Sequence, residues 1–236
     1  MSSNLVMAGG THGIGRALID RLASQVDRID LFSRQPCDEP LPANAFHHVC
    51  DFSGDEVDLD GLPDEIHGAV YCPGSITLKS FTAVKVEDFV EDLNVNLLGA
   101  VRFLKACRTG LRKGGGDRPS SVVLFSTVAV SQGMSRHSSI AAAKGAVEGL
   151  ARSLAAEWAP HVRVNVLAPA LTETPLAAHL LGSQQQREAM AERYPLGRFG
   201  QAGDVAAAAQ YLLSPDSGWV TGQVLGVDGG MSRLMT

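Results

Sequence analysis

The chain joins the apolar run Leu5–Ala8 directly to Gly9-Gly10-Thr11-His12-Gly13-Ile14-Gly15. It then continues through Arg16–Val26, with Ala17, Leu18, Leu22 and Val26 at helical spacing. No other feature constrains the fold as much as this order. A short apolar run ending in glycines reads as a buried parallel strand. Glycine reaches left-handed torsions and carries no Cβ to keep a phosphate away from the backbone. A helix opening behind such a turn offers free N–H groups and a positive dipole end to an anion. A tight turn alone would also use glycines, but the placement between a strand and a helix favours a phosphate cradle.

Strand and helix patterns then alternate to the end of the chain. Ile29–Phe32, Phe46–Val49, His67–Tyr71, Ser121–Phe125, Val162–Leu167 and Val224–Val227 read as strands, and Val86–Leu111, Ser139–Trp158 and Asp204–Leu213 as helices. The piece between the second and third strands holds Pro36, Pro40 and Pro42, which argues against a full helix there. Lys113-Gly114-Gly115-Gly116 reads as a flexible surface loop. Alternation of this kind predicts an α/β fold: a doubly wound (Rossmann) parallel sheet in three layers, forming a single domain over residues 1–236. Leu176–Arg193 reads as a helical insertion, so that 175–195 is expected to be a mobile substrate lid.

Composition narrows the function classes. Hydrophobic residues make up 45% of the 236 and charged residues 19%, ample for a core and unlike a disordered chain. The net charge of −5, with no basic patch, argues against nucleic acid as a partner. Cys37, Cys50, Cys72 and Cys107 form no CxxC pair and no Cys/His cluster with ligand spacing, so no metal site is expected and free thiols fit a reducing compartment. No apolar run reaches the ~18 residues of a membrane helix, and the N-terminal residues have no positive n-region of a signal peptide. A soluble, cytoplasmic protein acting on a small molecule is the expectation.

The spacing of Gly9, Gly13 and Gly15 resembles that of the short-chain dehydrogenase/reductase family, and further motifs follow in the family's order. Asp51, with Phe52 beside it, looks like the adenine-side Asp after the third strand. Asn94-Val95-Asn96-Leu97 resembles the central-helix motif, with Asn96 at the family's Asn position. Arg163-Val164-Asn165, followed by Pro169, Thr172 and Thr174, looks like the nicotinamide-side motif. Leu196–Gly200, Val220–Gln223 and Val227-Asp228-Gly229-Gly230 match the C-terminal pattern. The resemblance implies a nicotinamide cofactor held by Gly9, Thr11, His12, Gly13, Ile14, Gly15, Ser33, Arg34, Asp51, Phe52, Gly74, Lys144, Pro169, Thr172 and Thr174. At the end of the second strand an acidic residue would suit the ribose hydroxyl of NAD, whereas Ser33-Arg34 suits a 2′-phosphate. His12 sits where NADP-binding members often place a second basic residue. NADP(H) is therefore favoured over NAD(H).

The family moves a hydride between the nicotinamide and a carbonyl or alcohol carbon, with a Tyr handling the proton and a Lys four residues on. Lys144 matches that Lys. Four residues before it stands Ile140 rather than Tyr, and thirteen residues before that stands Thr127 rather than Ser. Asn96, Thr127 and Lys144 remain as candidate catalytic residues, but Ile140 cannot donate a proton. Tyr71-Cys72-Pro73-Gly74 and Pro169-Ala170 also replace the family's Asn-Asn-Ala-Gly and Pro-Gly.

Four readings stay open. The chain is an oxidoreductase with another donor (His137, Ser138, Ser139, Thr127 or water), or a reductase whose substrate needs no enzymic proton. It is otherwise a cofactor-binding sensor or partner without turnover, or a lyase or isomerase. Hydride transfer to a small organic substrate is favoured, because both ends of the cofactor site look maintained. The resemblance also implies a homotetramer or homodimer assembled through the Ala- and Gly-rich helix from Ile140.

Overall fold

A computed structural model describes residues 3–235 except 55, 56, 58 and 60. Met1, Ser2 and Thr236, which belong to the expected domain, lie outside the described residues. Seven parallel strands form the main sheet: β1 (Asn4–Ala8), β2 (Arg28–Ser33), β3 (Ala45–Val49), β4 (Gly68–Tyr71), β5 (Ser120–Phe125), β6 (Val162–Pro169) and β9 (Val224–Val227), in the order β3-β2-β1-β4-β5-β6-β9. A small parallel pair, β7 (Thr172–Glu173) and β8 (Gly200–Gln201), lies apart from it.

The apolar runs give three layers because neighbouring residues on a strand point to opposite faces. Leu5 and Met7 of β1 join Leu18, Ile19 and Leu22 of α1 (Gly13–Leu22) and Val205, Ala206 and Ala209 of α7 (Ala202–Leu213). Val6 and Ala8 join Phe103, Leu104 and Cys107 of α3 (Gly99–Gly114) and Val147 and Ala151 of α5 (Ser138–Trp158). Each fully buried Leu, Phe or Met contributes about 2 kcal/mol. Strand order reverses between β1 and β4, which opens a crevice at their carboxyl ends.

Several sequence expectations need correction. The first helix opens at Gly13, inside the glycine segment, not at Arg16. Its predecessor loop still folds as expected, with Gly9 at φ +71° and Gly13 at φ +57°. The expected single helix Val86–Leu111 is α2 (Val86–Leu93), a π-helical turn over Asn94–Leu98, and α3. The expected insertion helix is instead a 3-10 turn at Pro175–Leu180 followed by α6 (Gln184–Ala191), with Leu181, Tyr194 and Phe199 buried in a satellite core. A short helix α4 (Ala129–Gln132) went unpredicted. Gly114 and Gly115 are not simply loop: a Cβ would stand 2.2 Å from the Ile66 carbonyl oxygen at the first and 2.3 Å from that of His161 at the second. As expected, no full helix lies between β2 and β3 among the described residues; Ala170, where the family has Gly, does not need a positive φ. Among the described residues no helix is long and apolar enough to cross a membrane.

Candidate active site

A cleft of about 490 Å³ opens at the reversal point, within the range of small-molecule sites. Its floor is the glycine segment Gly9–Gly15; Cys72, Gly74 and Ser75 line it beyond β4, and Thr127, Ile140, Lys144, Pro169, Thr172 and Thr174 line it on the β5–β6 side. The two halves touch: a Cβ on Gly9 would meet the Pro73 ring at 3.1 Å. His12 is the N-cap of α1, but its side chain makes no capping bond; Nδ1 is paired with Thr11 Oγ1 at 2.9 Å instead. The first-turn N–H groups of α1 thus face the cleft without a side-chain cap, which is the arrangement that receives an anion.

Lys144 lies one helical turn after Ile140 on α5. Both are buried, and both reach the cleft wall. Burial pulls the Lys144 ammonium down to about 8, against the opposing pull of Cys72 and Asp92. The Cys72 thiol is pushed up to about 12 by burial and so stays neutral at physiological pH. Asn96 is 1% exposed, in the π-helical turn, and lies beneath the cleft rather than on its wall. Its Nδ2 donates to Ser75 Oγ at 2.9 Å and to the Asp92 carbonyl at 2.7 Å, while its Oδ1 is buried without a partner among the described residues. Asn96 Oδ1 and Lys144 Nζ both lie against Gly74, 3.2 and 3.4 Å from where its Cβ would be.

Lys144 carries its charge at a cost to stability. Its folded value lies below the ordinary lysine value of 10.5, so the unfolded chain holds more protons between about 8 and 10.5 and stability rises with pH there. Lys144→Met is therefore expected to remove that component of the rise in stability between about pH 8 and 10.5. Urea unfolding of both proteins at pH 7 and pH 10 checks this. Equal pH dependence in the two would show that Lys144 is not desolvated.

The adenine-side residues are arranged differently from the expectation. Ser33, Arg34, Asp51 and Phe52 are outside the cleft wall. Phe52 is buried in the core with its ring edge-on to Phe32, Tyr71 and Phe103, so its side chain is structural. Ser33 Oγ donates to the Gln35 carbonyl and pairs with His47 Nε2, both at 2.7 Å. Asp51 accepts from Ser53 N and Ser53 Oγ, which holds its carboxyl below the usual range, with a smaller contribution from the exposed Arg34. Arg34 and Asp51 thus share the rim at the ends of β2 and β3. Of the substitute proton donors, His137 and Thr127 line the cleft; Ser138 and Ser139 do not.

Sequence reasoning missed Ser75, Asp92 and the role of Tyr71. Tyr71 Oη donates to the Val95 carbonyl at 2.7 Å, inside the π-helical turn that presents Asn96. Asp92 stands four residues before Asn96, a helical spacing that the sequence did display.

Comparison with known proteins agrees with this fold. The family model described as enoyl-(acyl carrier protein) reductase matches residues 58–232. The chain is 34% identical to carbonyl reductase family member 4 of Danio rerio, over the full length of both. It is 32% identical to the 3-oxoacyl-(acyl-carrier-protein) reductase of Mus musculus, over 94% of this chain and 95% of the relative. A solved structure of a putative 2-deoxy-D-gluconate 3-dehydrogenase from Agrobacterium tumefaciens, with bound NADP, superposes with a TM-score of 0.87 at 30% identity, covering 97% of this chain and 96% of the other. The chain belongs to the short-chain dehydrogenase/reductase family, whose members named here are oxidoreductases.

Proposed function

We propose that this chain is an NADP(H)-dependent oxidoreductase with a non-standard proton donor, acting on a small apolar carbonyl, imine or activated alkene. One observation carries the reading. A single cleft runs from the uncapped N-terminus of α1 to Lys144, with apolar walls at Ile140, Leu171, Leu176, Leu180 and Met190. The residues present fit a dinucleotide. The α1 amides and Gly9–Gly15 would receive the pyrophosphate, while Lys144, Pro169, Thr172 and Thr174 would hold the nicotinamide end. When bound, the nicotinamide supplies the hydride. Ile140 offers an apolar surface beside the reacting carbon and excludes water there, while Thr127 keeps a hydroxyl that can orient a substrate oxygen. The segment 175–195 covers the far wall; in this reading it moves aside to admit substrate, released from the ion pair of Arg187 with Glu173 and from the stacking of Arg187 on Phe199.

The preference for NADP(H) rests on Arg34, a guanidinium at the end of β2 with room to fork onto a 2′-phosphate. Fluorescence titration is expected to show tighter binding of NADPH than NADH. In Arg34→Ala the NADPH affinity should fall by about tenfold or more, the loss of a charge-assisted bond, with NADH affinity unchanged. Equal losses for both nucleotides would sink the assignment of Arg34. Binding of neither by the wild type would sink the oxidoreductase reading itself. A panel of ketones, imines and enones, followed at 340 nm, tests turnover.

A further inference from the structure

Four polar groups meet behind Gly74. Asp92 is 1% exposed, at the buried side of α2. Its Oδ1 accepts from Ser75 Oγ at 2.5 Å and from Thr77 Oγ1 at 3.0 Å, whereas its Oδ2 is buried and no described group of the protein meets it. Ser75, whose single proton goes to Asp92, accepts from Asn96. Asn96 in turn has both amide hydrogens engaged and its Oδ1 unmet. Two buried acceptors are thus left open: Asn96 Oδ1 lies with the buried Lys144 Nζ against Gly74, and Asp92 is linked to Asn96 through Ser75. An unmet buried acceptor costs about 1–3 kcal/mol, so the arrangement is a poor design for stability alone.

We propose that Lys144 is the proton donor of this site, and that Asp92 is the positioning residue that keeps the Lys144 ammonium charged and holds Ser75 and Asn96 around it. This rests on the oxidoreductase reading above. As the substrate carbon receives the hydride, one Nζ–H bond of Lys144 breaks and an O–H bond forms at the substrate oxygen. Lys144 is left as the neutral amine, and solvent water entering the cleft returns its proton. A vicinal phenol is then unnecessary, and Ile140 serves only as a wall.

The charges around Lys144 support the division of roles. Desolvation favours the neutral amine, and Asp92 opposes it from α2. Cys72, at the end of β4, is a neutral thiol. His12, His137, Arg193 and Tyr194 are the other titratable or charged side chains on the cleft wall, and none is a carboxylate; burial pushes the Tyr194 phenol up, and its oxygen accepts from Leu171 N. Glu148, one turn further along α5, is engaged with Ser126 and Arg152. Among the described residues Asp92 is therefore the carboxylate available to the ammonium.

The test uses protein labelled at the ε-carbon of its five lysines, with Lys144 identified as the signal absent from Lys144→Arg. In the wild type the Lys144 signal is expected to titrate near 8, apart from the other four. In Asp92→Asn its midpoint should fall by about one pH unit, the effect of losing a nearby opposite charge. With NADPH and a reducible substrate, kcat should decline as pH rises through the same midpoint, and the decline should move to lower pH in Asp92→Asn. A midpoint that stays put in Asp92→Asn overturns the role of Asp92. A rate that ignores the Lys144 midpoint overturns Lys144 as donor. If NADPH binds and no substrate turns over, the oxidoreductase reading and proton donation fall together, and the titration alone judges the pairing of Asp92 with Lys144. Asp92→Ser, smaller and also neutral, provides the same readout should Asp92→Asn not fold.

Discussion

Ile140→Tyr is expected to raise the NADPH-dependent rate of ketone reduction by about 100-fold, the lower end of what a positioned general acid supplies. Ile140 stands one helical turn from Lys144 and on the same cleft wall as Thr127. A phenol at this position would extend into a cleft of about 490 Å³ instead of into packed side chains. It would also sit beside the Lys144 ammonium, which favours the phenolate. The wild type, relying on Lys144 alone, loses rate as that group deprotonates, so the variant should also show a changed pH profile. Steady-state kinetics against one ketone, with NADPH affinity measured in parallel, decides the matter. Retained NADPH binding with no gain in rate would mean that position 140 does not face the substrate oxygen.

Gly99→Ala is expected to destabilise the protein by about 3 kcal/mol, combining overpacking with a lost buried hydrogen bond. For a chain of this size that corresponds to a fall in Tm of roughly 10 °C. A Cβ at residue 99 would lie 2.0 Å from the Tyr71 phenol oxygen and 3.1 Å from its Cζ. The phenol would have to leave the Val95 carbonyl, and with it would go the clamp on the π-helical turn that presents Asn96. The clash falls mainly on the oxygen, so Tyr71→Phe in the Gly99→Ala background should recover part of the loss. The two changes should therefore couple in a double-mutant cycle. Strict additivity would show that the oxygen is not the point of contact. π-helical turns are often found at functional sites, and here the turn aims an amide at Ser75 and Asp92.

Much of the molecule is legible in its amino-acid order. The apolar runs mark all seven strands of the main sheet: the five inner strands are buried on both faces and so read as apolar runs, while β3 and β9 at the edges stay partly exposed. The glycine segment locates the cleft, since left-handed backbone and close approach at Gly9 leave few other residues possible. The positions of Lys144, Ile140 and Thr127 relative to one another follow from chain spacing, and the structure brings all three to one wall. The boundary between Leu93 and Gly99 is not legible: an uninterrupted helical pattern runs through it, and the Tyr71 phenol that meets the Val95 carbonyl inside the π-helical turn reaches across from β4.

The sequence by itself therefore determined the layer order, the cradle after the first strand, and the substitution of an apolar side chain at the position where the family resemblance places an acid. These depend on local periodicity, torsional freedom and residue identity. Only the tertiary structure decided that the Phe52 side chain packs in the core against Phe32, Tyr71 and Phe103. Only it decided that Ser75, Asp92, Asn96 and Lys144 converge behind Gly74. Asp92 and Asn96 share one helical run, but Ser75 and Lys144 come from other elements, and the cost of burying an ion or an unpaired acceptor depends on what those elements place next to it.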